Sequence, residues 1–172
     1  RLPDLSLLIE QESYFVVHAP RQTGKTTAML ALAQQLTATG HYAAVMVSVE
    51  VGSAFNNDPS AAELAILGTW YDTISIRLPD ELQPPALNQQ QKEQPGRRIR
   101  AFLQAWARDS SRPLIIFIDE IDSLENDALI SVLRQLRDGF PNRPQYFPSS
   151  VGLIGLRDVR DYKVASGGSD RL

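Results

Sequence analysis

The string Ala19-Pro20-Arg21-Gln22-Thr23-Gly24-Lys25-Thr26 fits the phosphate-binding pattern G-x-x-x-x-G-K-[ST], with alanine in place of the first glycine. A loop of this kind, set between a strand and a helix, turns successive backbone N–H groups inward. The helix N-terminus adds a dipole that favours phosphate. The chemistry explains the residue types: Gly24 lets the backbone approach the phosphates closely, Lys25 reaches the β- and γ-phosphates, and the Thr26 hydroxyl can ligate Mg²⁺. The cradle of backbone groups runs from Arg21 to Thr27. Alanine at the first position is a mild departure, because the turn there needs only a small residue.

A second set of chemical groups lies later in the chain. Leu114-Ile115-Ile116-Phe117-Ile118 is followed at once by Asp119-Glu120-Ile121-Asp122. An apolar run of that length places a strand deep in a sheet, and the carboxyl ends of strands are where ligands bind in open α/β folds. There Asp119 would hold Mg²⁺ directly or through water, and Glu120 is placed to polarise an attacking water. Asp122 either supports this site or caps the following helix, and Glu125 is equally open. A calcium loop does not fit, since no glycine stands where the D-x-[DN]-x-[DN]-G spacing requires one.

The elements that must position these groups can be read around them. Tyr14–His18 is a short β-rich apolar run, expected to be a strand buried on both faces. Lys25 to Ala38 are good helix formers with Met29, Leu32, Ala33 and Leu36 on one side, and Gly40 is a stop signal. Tyr42 to Val49 reads as a second strand, so the pattern is a right-handed βαβ unit of a parallel sheet. After the break at Asn56-Asn57-Asp58-Pro59, Ser60 and Glu63 are spaced as a capping box for a helix with the stripe Leu64, Leu67, Tyr71 and Ile74. Residues 79–97, with Pro79, Pro84, Pro85, Pro95 and Gly96, read as a surface linker within one domain. A helix follows through Ile99, Phe102, Leu103 and Trp106, and another through Leu129, Val132, Leu133 and Leu136. Val151 to Leu156 is the last strand. Strands alternating with helices give an α/β class with a mostly parallel sheet flanked by helices.

Composition agrees with this reading. The 172 residues are 43% hydrophobic, enough for one domain with a real core, since chains of this size bury roughly 70% of their unfolded surface. A formal charge of −3 argues against a broad basic nucleic-acid surface. No apolar run approaches the ~18 residues of a membrane span. Without cysteine there are neither disulfides nor thiolate metal sites, and a cytoplasmic setting is expected. The chain does not begin with Met and Ser166–Leu172 reads as open linker, so a piece of a longer protein is expected, with 1–12 and 166–172 peripheral to a single domain.

Taken together, the loop Ala19–Thr27 and the acidic strand Leu114–Asp122 resemble the core of an AAA+ or closely related STAND-type P-loop ATPase over about residues 14–160. The resemblance implies the three-layer P-loop NTPase fold, binding of ATP with Mg²⁺, and hydrolysis. Partners it implies are ATP and ADP, with self-association or protein modules outside this chain. Gly152-Leu153-Ile154-Gly155-Leu156-Arg157-Asp158 resembles the sensor strand of STAND-type members, where the terminal arginine senses the γ-phosphate. Arg157 maps onto that position, and Arg160 is a weaker candidate. No segment resembling the helical lid follows the last strand, so the second sensor is not assigned. Arg134, Arg137 and Arg143 fall where such proteins often carry an arginine finger, but each is equally a surface charge.

Other residues carry plainer readings. His18 and His41 are read as structural, Trp70, Tyr71 and Trp106 as core, and Arg97-Arg98-Arg100 as a solvated helix start. Three rivals share parts of the pattern: a small-molecule phosphotransferase, a DNA-associated ATPase, and an ATP-gated interaction module that does not hydrolyse. The pair Asp119-Glu120 favours water over a small-molecule acceptor.

Overall fold

The computed structural model describes residues 5–18 and 24–155. A short helix α1 (Ser6–Glu10) leads into β1 (Tyr14–His18), α2 (Lys25–Ala38) and β2 (Ala43–Ser48). A 3-10 turn at Glu50–Phe55 precedes the long helix α3 (Pro59–Arg77). Then come a turn at Asp80–Leu82, α4 (Asn88–Gln91), α5 (Arg98–Asp109) and β3 (Leu114–Asp119). A turn at Ile121–Ser123, α6 (Asn126–Gly139), a turn at Phe140–Asn142 and β4 (Ser150–Gly155) complete it.

All pairings are parallel, in the order β1-β4-β3-β2. The last strand is thus inserted between the first and third. Its register sets His18 beside Gly155 on one side and Ile118 beside Leu153 on the other, so the phosphate-loop strand and the acidic strand end at the same rim. All six residues of β3 are buried, because helices cover both faces of the sheet. Leu114, Ile116 and Ile118 join Val45, Val47 and Leu153 beneath α3, α5 and α6. Ile115 and Phe117 join Phe15, Val17 and Ile154 beneath α1 and α2. The strand's side chains are therefore shared between two cores, each fully buried one contributing about 1.5–3 kcal/mol.

Four expectations change at the level of packing. The strand β1 is not buried on both faces: Phe15 and Val17 are buried, but Tyr14 and Val16 are half-buried. Among the described residues β1 pairs only with β4, and on its α6 side lies a groove of about 530 Å³ lined by Leu133, Leu136, Phe140 and Leu153. The cap of α3 is Asp58, whose carboxylate accepts the Ala61 amide at 3.2 Å, with Pro59 at the first helical position. Ser60 and Glu63 form no capping box. Instead Glu63, 1% exposed, reaches out of α3 to accept from the amides of Gly96, Arg98 and Ile99 and from Nε2 of Gln135.

The stripe of α3 accordingly runs through Glu63, Ile66, Leu67, Trp70 and Ile74, while Leu64 points outward at 41% exposure. The segment 79–97 is not merely a surface linker either. Leu82 is buried in the core and its carbonyl accepts the Trp106 indole at 3.1 Å, while Glu63 pins the far end at Gly96. Trp70 and Trp106 are core residues as expected, and β4 closes at Gly155 within the described residues.

Candidate functional site

The first half of the site is the start of α2. Gly24 holds the N-cap with φ 76°, a left-handed conformation in which glycine is unstrained, and Lys25, Thr26 and Thr27 form the first turn. Gly24 has no side chain with which to cap these amides, and a helix N-terminus of this kind offers the donors a phosphate takes. Ala19, Pro20, Arg21, Gln22 and Thr23, the remainder of the predicted cradle, lie outside the described residues, as does Arg157.

The second half is the end of β3. Asp119 is 8% exposed; its Oδ1 accepts the Glu120 amide at 2.8 Å and its Oδ2 accepts the Thr26 hydroxyl at 3.2 Å. Residues far apart in sequence thus meet side chain to side chain. Two oxygens bound to one Mg²⁺ at 2.0–2.1 Å and at right angles stand about 3 Å apart, so this pair matches the edge of such a coordination octahedron. The donor set, one hydroxyl and one carboxylate, also suits Mg²⁺, which keeps waters and takes substrate phosphates as its other ligands. Among the described residues no cluster of three or more His, Cys, Asp or Glu side chains forms an all-protein metal cage.

Glu120 departs from the strand. Its φ of 61° and ψ of 34° put a glutamate in the left-handed region, at a cost of order 1 kcal/mol. Its carbonyl, which accepts both the amide (3.0 Å) and the hydroxyl (2.7 Å) of Ser123, fixes that conformation from the turn that follows. The side chain is thereby aimed toward the end of β2, where Oε1 accepts the Ser48 hydroxyl at 2.9 Å. Burial, reinforced by the neighbouring Glu50 and Asp119 and opposed by the Ser48 hydroxyl, pushes the Glu120 carboxyl up to about 7. A carboxyl with that affinity for protons is suited to accept one from water near neutral pH.

Ser48 and Glu50 were not legible as site residues. They arrive because β2 pairs with β3 in a register that sets Ser48 beside Asp119. The Trp70 indole donates to the Ser48 carbonyl at 2.8 Å and holds the strand end in place. The two open assignments resolve partly. The first turn of α6 is covered by Asn56, whose side chain accepts the Glu125 amide at 2.9 Å and whose carbonyl accepts the Ala128 amide at 3.1 Å. Glu125 stands at the N-cap without a side-chain cap bond, and Asp122 lies earlier, within the turn Ile121–Ser123.

Several basic residues outside the loop are engaged. Arg98 donates to the Ser60 carbonyl and hydroxyl and to the Glu93 carbonyl, and Arg97 pairs with Glu93 at 3.5 Å. Arg143 lies 3.5 Å from the Phe140 ring centroid and donates to the carbonyls of Glu12 and Phe140, bracing the edge of β1.

An open parallel sheet with a phosphate-type loop after β1 and an acidic pair at the end of β3 defines the P-loop class of nucleotide-binding α/β proteins. More narrowly, the chain belongs to the AAA family, the ATPases associated with various cellular activities, whose model matches residues 15–156. ATP binding and hydrolysis are the general activity of that family. Comparison with curated proteins and with solved structures found no match. No helix of the described residues is long and apolar enough to cross a membrane.

Proposed function

We propose that this chain is a Mg²⁺-dependent ATPase core of the STAND-like kind, a single domain serving as the nucleotide switch of a larger cytoplasmic signalling or remodelling protein. The observation that carries the reading is the 3.2 Å contact between the Thr26 hydroxyl and Asp119, with Glu120 next in the chain. It supports one centre in which phosphate binding, metal binding and water activation meet.

In this reading the backbone from Ala19 to Thr27 cradles the phosphates, and Lys25 neutralises their charge. Thr26 and Asp119 would hold Mg²⁺, which when bound draws charge from the β- and γ-phosphate oxygens. Glu120 leaves its Ser48 contact, orients a water in line with the γ-phosphorus and takes its proton as the new P–O bond forms and ADP departs. Arg157, two residues past the end of β4, reads the γ-phosphate. The strand register supports this, since β4 ends between β1 and β3.

Phosphate release measured with ATP alone, with no co-substrate, tests the reading against a phosphotransferase. Wild-type protein is expected to turn over only with Mg²⁺, and Glu120→Gln to bind ATP with unchanged affinity while losing at least 10²-fold in turnover, the lower end of general-base effects. Undiminished turnover in Glu120→Gln removes the assigned base.

A further inference from the structure

We propose that Ser123 is a positioning residue for the hydrolytic step, its hydroxyl fixing the direction in which the Glu120 side chain leaves the backbone. The inference rests on the reading of Glu120 as the base. At φ 61° and ψ 34°, Glu120 occupies a region that glycine enters freely and glutamate does not. A fastening on each side of its Cα keeps it there. On the near side, the Glu120 amide donates to Oδ1 of Asp119 at 2.8 Å. On the far side, the Glu120 carbonyl accepts the Ser123 amide at 3.0 Å and the Ser123 hydroxyl at 2.7 Å. With both flanking peptides held, the Cα–Cβ direction of the residue is held too.

The two donors of Ser123 are not equivalent. The amide bond closes the turn whatever side chain stands at 123. The hydroxyl is the contribution of serine itself, and it takes the second lone pair of the Glu120 carbonyl. It therefore resists rotation of the peptide between Glu120 and Ile121, the motion by which Glu120 would begin to leave the left-handed region. The turn that presents the hydroxyl cannot follow such a motion. Ile121 and Leu124 are fully buried in the core, and the side chain of Asn56 accepts the Glu125 amide at 2.9 Å. Ser123 is thus carried on a fixed base, while Glu120 is only half-buried. The hydroxyl bonds the Glu120 carbonyl and not the Thr26–Asp119 pair, so its effect falls on turnover rather than on nucleotide binding.

The test is a comparison of Ser123→Ala and Ser123→Thr in the full chain, by single-turnover phosphate release and by titration with Mg-ADP. Ser123→Ala keeps the turn amide and loses the hydroxyl. Its rate is expected to fall about fivefold, the effect of one lost hydrogen bond, with Mg-ADP affinity unchanged. Ser123→Thr restores a hydroxyl and keeps most of the rate. Because the hydroxyl acts through Glu120, adding Ser123→Ala to Glu120→Gln is expected to lower the residual rate no further. A normal rate in Ser123→Ala, an equal fall in Ser123→Thr, or weakened Mg-ADP binding in Ser123→Ala overturns the proposal. A further fivefold loss on top of Glu120→Gln overturns it too, since Ser123 would then act through another group. Loss of rate in Glu120→Gln beside an unchanged Ser123→Ala sinks Ser123 alone. A wild-type chain that releases no phosphate, or an active Glu120→Gln, removes the base reading and Ser123's role with it.

Discussion

Replacing Glu63 by alanine should be among the most damaging single changes to this fold, although Glu63 bonds to no residue of the site. Its carboxylate is 1% exposed and joins three helices: it sits on α3, caps the start of α5 through the amides of Gly96, Arg98 and Ile99, and accepts from Gln135 on α6. Gly96 is exposed, so water can replace that bond. The Ile99 amide and the Gln135 side chain are buried and have no such recourse. Each buried donor left without a partner costs about 1–3 kcal/mol, and the lost side-chain volume adds about 1 kcal/mol. The sum is about 3–7 kcal/mol, a large share of the 5–15 kcal/mol of a typical domain. For a chain of this length that lowers Tm by about 6–28 °C. Urea unfolding without nucleotide, with Asp58→Ala as a one-bond comparison expected to lose about 1 kcal/mol, measures it. Glu63→Gln keeps the volume and one acceptor and should lose about 1–2 kcal/mol. A loss below about 1 kcal/mol in Glu63→Ala, or equal losses in the alanine and glutamine variants, would refute the picture of a carboxylate node.

Other consequences can be checked separately. Mg-ATP at 100 times its Kd should stabilise the wild-type chain by about 2.7 kcal/mol and leave Lys25→Ala unmoved, which a thermal shift reads directly. Gly152→Ala should lose about 1–3 kcal/mol in urea, because a Cβ there would stand 2.6 Å from the Phe15 ring and 3.1 Å from Phe117 inside the sheet's α2 face. Arg143→Ala should lower Tm while phosphate release per folded molecule stays level, since its guanidinium is already engaged by Phe140 and Glu12; a collapse of turnover with an unchanged Tm would contradict this.

What could be read from the chain and what could not divides along physical lines. The sheet strands, the helix from Lys25, and the residues Asp119 and Glu120 were legible because hydrophobic runs and helix-start chemistry are local signals. The contact of Thr26 with Asp119 follows from motif order. Ser48 and Glu50 were not legible, because their meaning comes from β2 lying beside β3, and Ser-Val-Glu after an apolar run carries no signal of its own. Glu63 misled by spacing: three residues after Ser60 it imitates a capping box. The informative signal was Pro59, which belongs at the first turn of a helix and points to Asp58 as the cap. The Pro-rich stretch 79–97 hid Leu82 for the same reason, since loop composition says nothing about a single apolar residue that reaches the core.

The insertion of β4 between β1 and β3 has a consequence for how the molecule is made. Synthesis proceeds from the N-terminus, and β2 and β3 can pair as soon as Asp119 has emerged, with α3 and α5 already present to cover them. Among the described strands β1 has no partner until Val151 and its neighbours arrive. A nascent chain stopped short of residue 150 would hold β2 and β3 with α2 laid against them, while β1, the strand that leads into the phosphate loop, would still lack its partner. Nucleotide-binding competence thus appears abruptly, when one six-residue strand slots into the gap, and the phosphate loop waits through the synthesis of α3, α5 and α6 before it has a site to complete.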